Sequence, residues 1–381
     1  MKQIFLMLLA FVMLLGCACG QGSENDVTDT DETQLLTETE PLAETEPETE
    51  PETEAETEPA EPARPFVKPE ISEELKKEYY GYINQAWREK IDEIKATQGN
   101  DFTFLVQTDP HFWVGGDKKT AVNAKGMSHY VELDFVACLG DLIRGYAYEE
   151  DKPANTAKCL EELTRRYTEN ANCPVLMTFG NHDTNVSWCK EFGTADMQLN
   201  QYDHYFTVIE KLKELNGSDM VVEELCNYYY MDFPDFGIRV VMLNTTDGDY
   251  MGQYDSTSVI STRQSEWFRD KALDTDLSVI VTSHIPLISA FPDADRKAAK
   301  GSQAILDAVE SFVASGGDFI AYMYGHVHSS QADTVDQNGR LHMIFRNGGT
   351  NGEVVFIDTD ERTIRTVGLS KAESRSFTYG K

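Results

Sequence analysis

Five polar clusters, each placed directly after an apolar run, hold the residues best suited to chemistry. They read Asp109-Pro110-His111, Gly140-Asp141, Gly180-Asn181-His182-Asp183, His284 and Gly325-His326-Val327-His328. Neutral imidazole, carboxylate and amide oxygen in one set suit first-row divalent metals better than Ca²⁺ or Mg²⁺ alone. In extended backbone, residues i and i+2 point to the same side. Asp109 with His111, and His326 with His328, are therefore each expected to present two ligands to one face. A carboxylate has two oxygens, so Asp141 can bridge two ions. One HxH or GD pair says little. Five such clusters in order, each closing an apolar run, point to a single metal site.

That site needs elements able to gather residues more than 200 positions apart. Apolar strand-like runs lie at 102–108, 134–139, 174–179, 238–244, 278–283 and 318–324, with helix-like stretches near 118–131, 154–168, 262–274 and 302–314. In such alternating α/β chains, sites form outside the carboxyl ends of the strands. Runs at 341–346, 353–358 and 363–369 follow one another without a helix, which predicts a β-rich end to the same domain. Apolar spacing predicts one further helix over 71–97, capped by Ser72.

Here the chain resembles the calcineurin-like metallophosphoesterases, whose signature runs D-x-H, G-D, G-N-H-D or G-N-H-E, a lone His, then G-H-x-H. All five parts are present between residues 109 and 328. The resemblance implies an α/β fold, a four-layer α-β-β-α sandwich with a dinuclear metal site at the strand C-terminal ends. It implies that one ion takes Asp109, His111 and His328, that the other takes Asn181, His284 and His326, and that Asp141 bridges them. Mn, Fe or Zn, divalent or trivalent, are the expected ions. The reaction implied is attack on phosphorus by a metal-activated hydroxide. His182 is then the group that protonates or supports the leaving oxygen, with Asp183 expected to orient it. Arg144, three residues past Asp141, is a candidate phosphate clamp. The purple acid phosphatases lack the first-motif histidine, so His111 argues against that branch.

Other residues have plainer readings. Phe112 and Trp113 either stack on an aromatic leaving group or pack over the metal centre. His129, His204 and His342 fit no motif and are expected to be structural or at the surface. Tyr228–Tyr230 reads as a strand burying alternate rings. Cys138 reads as core packing, and the cysteine spacings specify no disulfide.

Charge and the amino-terminal stretch bear on location and partners. The 381-residue chain carries a net charge of −32, of which residues 21–63 supply 16 acidic groups without one Lys or Arg. Residues 64–381 are acidic as well, at −17. Such a body disfavours long nucleic acids but not small phosphorylated substrates in a metal site. Residues 1–16 read as a signal peptide, too short to span as an ordinary transmembrane helix. Leu14-Leu15-Gly16-Cys17 resembles the bacterial lipobox, which implies a lipidated Cys17 on the outer face of the cytoplasmic membrane. A plain signal peptide or an uncleaved anchor is the alternative. Residues 17–65, with their ETEP repeats, are expected to form a disordered tether reaching roughly 40 Å as a coil. Residues 66–381 are then the catalytic domain, acting on small monoesters or diesters. The rival readings are a nuclease or cyclic-nucleotide phosphodiesterase on the same scaffold, and a non-catalytic surface binding module. Sequence does not address the oligomeric state.

Overall fold

The structure, a computed structural model, describes residues 64–113, 119–145, 153–185, 199–248, 258–289, 298–328, 331–348 and 350–380. The expected leader, Cys17 and the tether up to residue 63 lie outside them. Parts of 185–227 and 245–262, the long stretches between strand-like runs, lie outside them too.

Thirteen strands among the described residues build two sheets. The first runs β13 (Ser376–Thr378), β12 (Thr363–Leu369), β11 (Gly352–Asp358), β1 (Phe102–Gln107), β2 (Phe135–Leu139), β3 (Val175–Thr178). The second runs β4 (Met220–Val222), β5 (Tyr229–Phe233), β6 (Ile238–Met242), β7 (Ser278–Ser283), β8 (Phe319–Tyr324), β10 (Leu341–Ile344), β9 (Ala332–Val335). β1, β2 and β3 are parallel, as are β6, β7, β8 and β10. The late strands return antiparallel, with β11 beside β1. The β-rich end thus completes the first sheet rather than forming a separate body.

Period-two alternation shows the layering. On β7, Val279 and Val281 join a cluster with Trp267, Phe268, Ile305 and Val309 of the covering helices. Ile280, between them, belongs to the other cluster with Leu105, Val136 and Val355 of the first sheet. On the outer side of that sheet lie Ala124 and Met127 of helix Lys119–Ser128, with Leu160 and Leu163 of helix Pro153–Thr168. The result is the four-layer α-β-β-α arrangement.

One expected helix is three. The run 71–97 breaks into Glu73–Tyr82, Gln85–Arg88 and Ile91–Thr97. Ile83 and Asn84 are extended, and the Asn84 side chain accepts from the Trp87 N–H, capping a new turn. Trp87 is then fully buried and its indole N–H donates to the Thr350 carbonyl at 2.8 Å, pinning this segment over the start of β11. The stretch 262–274 is helical only to Trp267 and continues as a π-turn over Phe268–Ala272. Arg64 and Pro65, expected to end the tether, already pair with Ser218 and Gly217.

Candidate metal centre and active site

The carboxyl ends of β1, β2 and β3 meet those of β7 and β8, and every cluster from the sequence lies there. Asp109, His111, Asp141 and His328 place one donor atom each within 4.8 Å of one another. Asp141, His284 and His326 form a second such group, with Asp141 common to both. His111 Nε2 faces His328 Nε2 at 3.0 Å, and His284 Nε2 faces His326 Nδ1 at 3.3 Å. The two histidines of the HxH pair therefore serve different groups.

The route to this geometry is not the expected one. The strands stop at Gln107, Leu139 and Tyr324, before the ligands begin. Asp109, His111, Asp141 and His326 all have positive φ, at 53°, 43°, 48° and 69°. Side-chain direction therefore comes from tight left-handed turns, not from the i, i+2 rule of extended chain. Each such residue costs on the order of 1 kcal/mol or more, and the surrounding structure must hold it there. Gly140 makes one approach possible: at φ 81° it sits where a Cβ would come within 2.7 Å of the His284 side chain.

Hydrogen bonds fix one oxygen of each carboxylate and leave the other for the cluster. Asp109 Oδ2 accepts from the His326 N–H at 3.1 Å and lies 2.7 Å from the Thr108 hydroxyl. Asp141 Oδ1 accepts from the His182 N–H at 2.9 Å. The partner oxygens, Asp109 Oδ1 and Asp141 Oδ2, are buried and accept no well-directed hydrogen bond, and Asn181 Oδ1 is in the same position. Buried oxygens left this way carry a desolvation cost that a cation removes. His284 donates Nδ1–H to the Leu139 carbonyl at 2.7 Å, which turns Nε2 toward Asp141 Oδ2, 3.2 Å away. A backbone carbonyl on the far nitrogen is the usual support of a metal-binding imidazole. The donor set, its orphaned oxygens and its outer supports fit two metal ions.

Electrostatics agree. Burial pushes Asp109 and Asp141 upward, yet the neighbouring His284 and His328 hold both below the ordinary carboxylate value. His328 is raised to about 9 by its contacts with Asp109 and Asp141. His284 is raised to about 9 as well, its burial outweighed by the same carboxylates. His111 is lowered to about 4, chiefly by burial. The carboxylate pair thus stays ionised and attracts positive charge.

The residues expected to do chemistry around the metals are arranged differently from the sequence reading. His182 lies at the rim with Nε2 3.9 Å from Asp141 Oδ2. Its Nδ1–H donates to the main-chain carbonyl of Arg144 at 2.7 Å. Asp183 was expected to orient that ring, but its carboxylate points inward. It accepts from Gly180 N–H at 2.7 Å and from Ile143 N–H at 3.0 Å, bracing two ligand loops against each other. Burial and the nearby Asp141 charge push Asp183 up to about 7. Arg144, expected as a clamp through its guanidinium, contributes its carbonyl here. Phe112 is buried, and its main chain pairs with Leu142 and Arg144, which ties the first motif to the second. Trp113 is 48% exposed.

Two supports carried no sequence signal. His204 donates Nε2–H to the Asp183 carbonyl at 2.9 Å while stacking on Phe179, so a histidine read as structural steadies the third motif. Thr108 lies between Asp109 and the Leu139 carbonyl, 3.0 Å from the latter. A motif scan stops at the ligands and misses such neighbours. The remaining outlying histidines are packing residues: His129 stacks on Tyr79, and His342 is buried against Tyr322 and Tyr324. Cys138, Cys159, Cys173 and Cys226 are buried free thiols.

A family model for calcineurin-like phosphoesterases matches residues 102–330. Among solved structures, the 5′-nucleotidase of Candida albicans is 17% identical, with a TM-score of 0.41 over 68% of this chain and 48% of that one. GAP50, the anchor in the inner membrane complex of Plasmodium, is 14% identical, with a TM-score of 0.44 over 74% and 90%. A putative 5′-nucleotidase from Staphylococcus aureus is 15% identical, with a TM-score of 0.39 over 72% and 54%. The chain spans about half the length of the two nucleotidase chains. No curated protein matches it.

Proposed function

The chain belongs to the calcineurin-like phosphoesterase family, and from that premise we propose that it hydrolyses small phosphate monoesters or diesters with two metal ions while tethered by lipid outside the cell. The observation that carries the reading is the pair of donor groups sharing Asp141, with buried oxygens of Asp109, Asp141 and Asn181 left for cations. Asp109, His111 and His328 hold one ion in this reading, Asn181, His284 and His326 the other, and Asp141 both. When bound, such ions would polarise the phosphoester and lower the pKa of a coordinated water.

The chain's own groups supply the rest. His326 N–H and His182 N–H keep the two carboxylates aimed. The Arg144 carbonyl holds the His182 ring by Nδ1, so Nε2 is the nitrogen that carries a proton to the leaving oxygen. Arg144, an exposed residue next to this ring, is a candidate contact for a substrate phosphate. The Leu14–Cys17 stretch and the acidic residues after it support the lipid tether, and Cys17→Ser should abolish incorporation of labelled fatty acid.

Metal analysis of the purified body, then a panel of monoesters, diesters and nucleotides, tests the reaction. Two ions per chain with turnover of at least one class is expected; a body that binds ions but turns over none leaves the binding-module reading standing. His182→Ala tests the proton role. With two ions still bound, turnover of an alkyl phosphate should fall at least about 100-fold and that of a nitrophenyl ester much less. Equal turnover of the alkyl ester by both proteins removes His182 from the mechanism.

A further inference from the structure

Away from the metal ligands, a cleft of about 800 Å³ opens between the helical segments at 73–88 and the helices at 119–128 and 153–168. None of the seven candidate ligands lines it. In a chain of strongly acidic balance, its wall carries Arg88, Lys119, Lys125, Arg165 and Arg166 against Glu78 and Glu169. Some of that charge is answered within the wall, since Arg165 pairs with Glu162 and Glu169 and Arg166 with Glu162.

Lys125 is not answered in this way. It is 8% exposed, and among the described residues no hydrogen bond or ion pair meets its ammonium, which lies 5.9 Å from the centre of the Tyr79 ring. A mostly buried side chain that ends in an unpaired ammonium favours an anionic partner. Arg88 donates to the Gly81 carbonyl at 2.9 Å and lies over the Tyr80 ring, with no carboxylate against its guanidinium among the described residues. The cleft wall therefore carries more positive than negative side chains. Tyr79, Tyr82, Ile83 and Val122 also line it and give it an apolar part. Burial lowers Lys125 to about 8, the nearby Glu169 opposing.

We propose that this cleft binds a small organic oxyanion, its phosphate or carboxylate head on Lys125, Arg88 and Arg166 and its apolar part on the tyrosines. The volume is that of ordinary small-molecule sites, and a few convergent polar groups on an apolar wall are their usual makeup. A planar or tetrahedral oxyanion accepts from an ammonium and from the outer N–H groups of guanidiniums alike.

The test is calorimetric titration of phenylphosphonate into the metal-loaded full chain, beside Lys125→Met and Arg88→Gln. Wild type should show two binding events, one at the metals and one in the cleft. Each variant should keep the first event and hydrolyse a chromogenic phosphoester at the wild-type rate, while the second event weakens at least tenfold. Benzoate should compete for the second event, and whichever ligand binds tighter identifies the preferred head group. One event in wild type, a second event unchanged in both variants, or equal binding of neutral benzyl alcohol overturns the proposal. Because turnover is unaffected by these substitutions, failure here leaves the hydrolase reading intact. If Lys125→Met does not fold, Arg88→Gln carries the comparison.

Discussion

Two kinds of buried aspartate among the described residues behave in opposite ways. Asp109 and Asp141 are held below the usual carboxylate value in spite of burial, because imidazoles surround them. Asp183 is as deeply buried and only two residues beyond ligand Asn181, yet burial and the Asp141 charge push it up to about 7. Asp247, past the end of β6, is pushed up to about 6 by burial, its bonds to Ser261 and Gln264 offsetting only part. The difference lies in what each oxygen faces. In the first setting one oxygen per carboxylate is tied and the other is left open toward histidines. In the second, the carboxylates are consumed by N–H and O–H donors of neighbouring loops and of a helix start. The first setting attracts cations, whereas the second fastens chain segments.

Breaking the first setting should have the largest effect. Asp141→Asn removes the charge common to both donor groups. The expected loss of turnover exceeds the roughly 10–100-fold that outer-shell changes cost, and metal content should fall below two ions per chain by mass spectrometry. A variant that keeps both ions and stays within tenfold of wild-type activity would end the distinction between the two kinds of aspartate. Asp183→Ala should act the other way round. It leaves the Gly180 and Ile143 N–H groups buried and unpaired, costing about 2–5 kcal/mol in urea unfolding, whereas Asp183→Asn retains an acceptor oxygen and should cost less. Both should bind two ions when Mn²⁺ is in excess. Loss of ions without loss of stability would make Asp183 part of the metal site rather than its brace.

Much of the first setting was legible in the sequence, and little of the second. Asp109, His111, Asp141, His284, His326 and His328 announce themselves by residue type after apolar runs, and the structure gathers them into two groups. Their means of convergence was not legible. Left-handed φ at Asp109 and His326 follows from tertiary constraint, which no spacing rule encodes. Asp183 was misread because neighbours in sequence were taken as partners. His182 and Asp183 are adjacent, but the turn sends one to the rim and the other inward. The strands expected from apolar runs lie within a residue or two of their places, whereas β4, β9 and β13 had no such run. The run 71–97 was not, because the cap at Asn84 competes with a helical pattern that continues through it. Paired runs late in the chain indicated β-structure, yet not that β11 would lie against β1.

The smallest effect sharpens the second setting alone. Asp247 is 2% exposed, and its Oδ2 accepts from Gln264 Nε2 at 3.1 Å and from the Ser261 hydroxyl. Its folded pKa, about 6, lies above the unfolded value near 3.8. The protonated form is therefore the one that folding favours. Its contribution is fully present below about pH 4 and is lost as pH rises through about 6. Asn keeps one acceptor for Gln264 and Ser261 and cannot ionise, so Asp247→Asn should remove this dependence. Unfolding free energies measured at about pH 4.5 and about pH 7.5 should show the variant gaining on wild type by about 2 kcal/mol over that interval. Because Asp247 is not among the candidate ligands, the metal-loaded activity at neutral pH should be unchanged. A constant difference across the interval would mean that Asp247 is ionised throughout, and that the loop donors around it stabilise its charge as fully as the histidines do for Asp141.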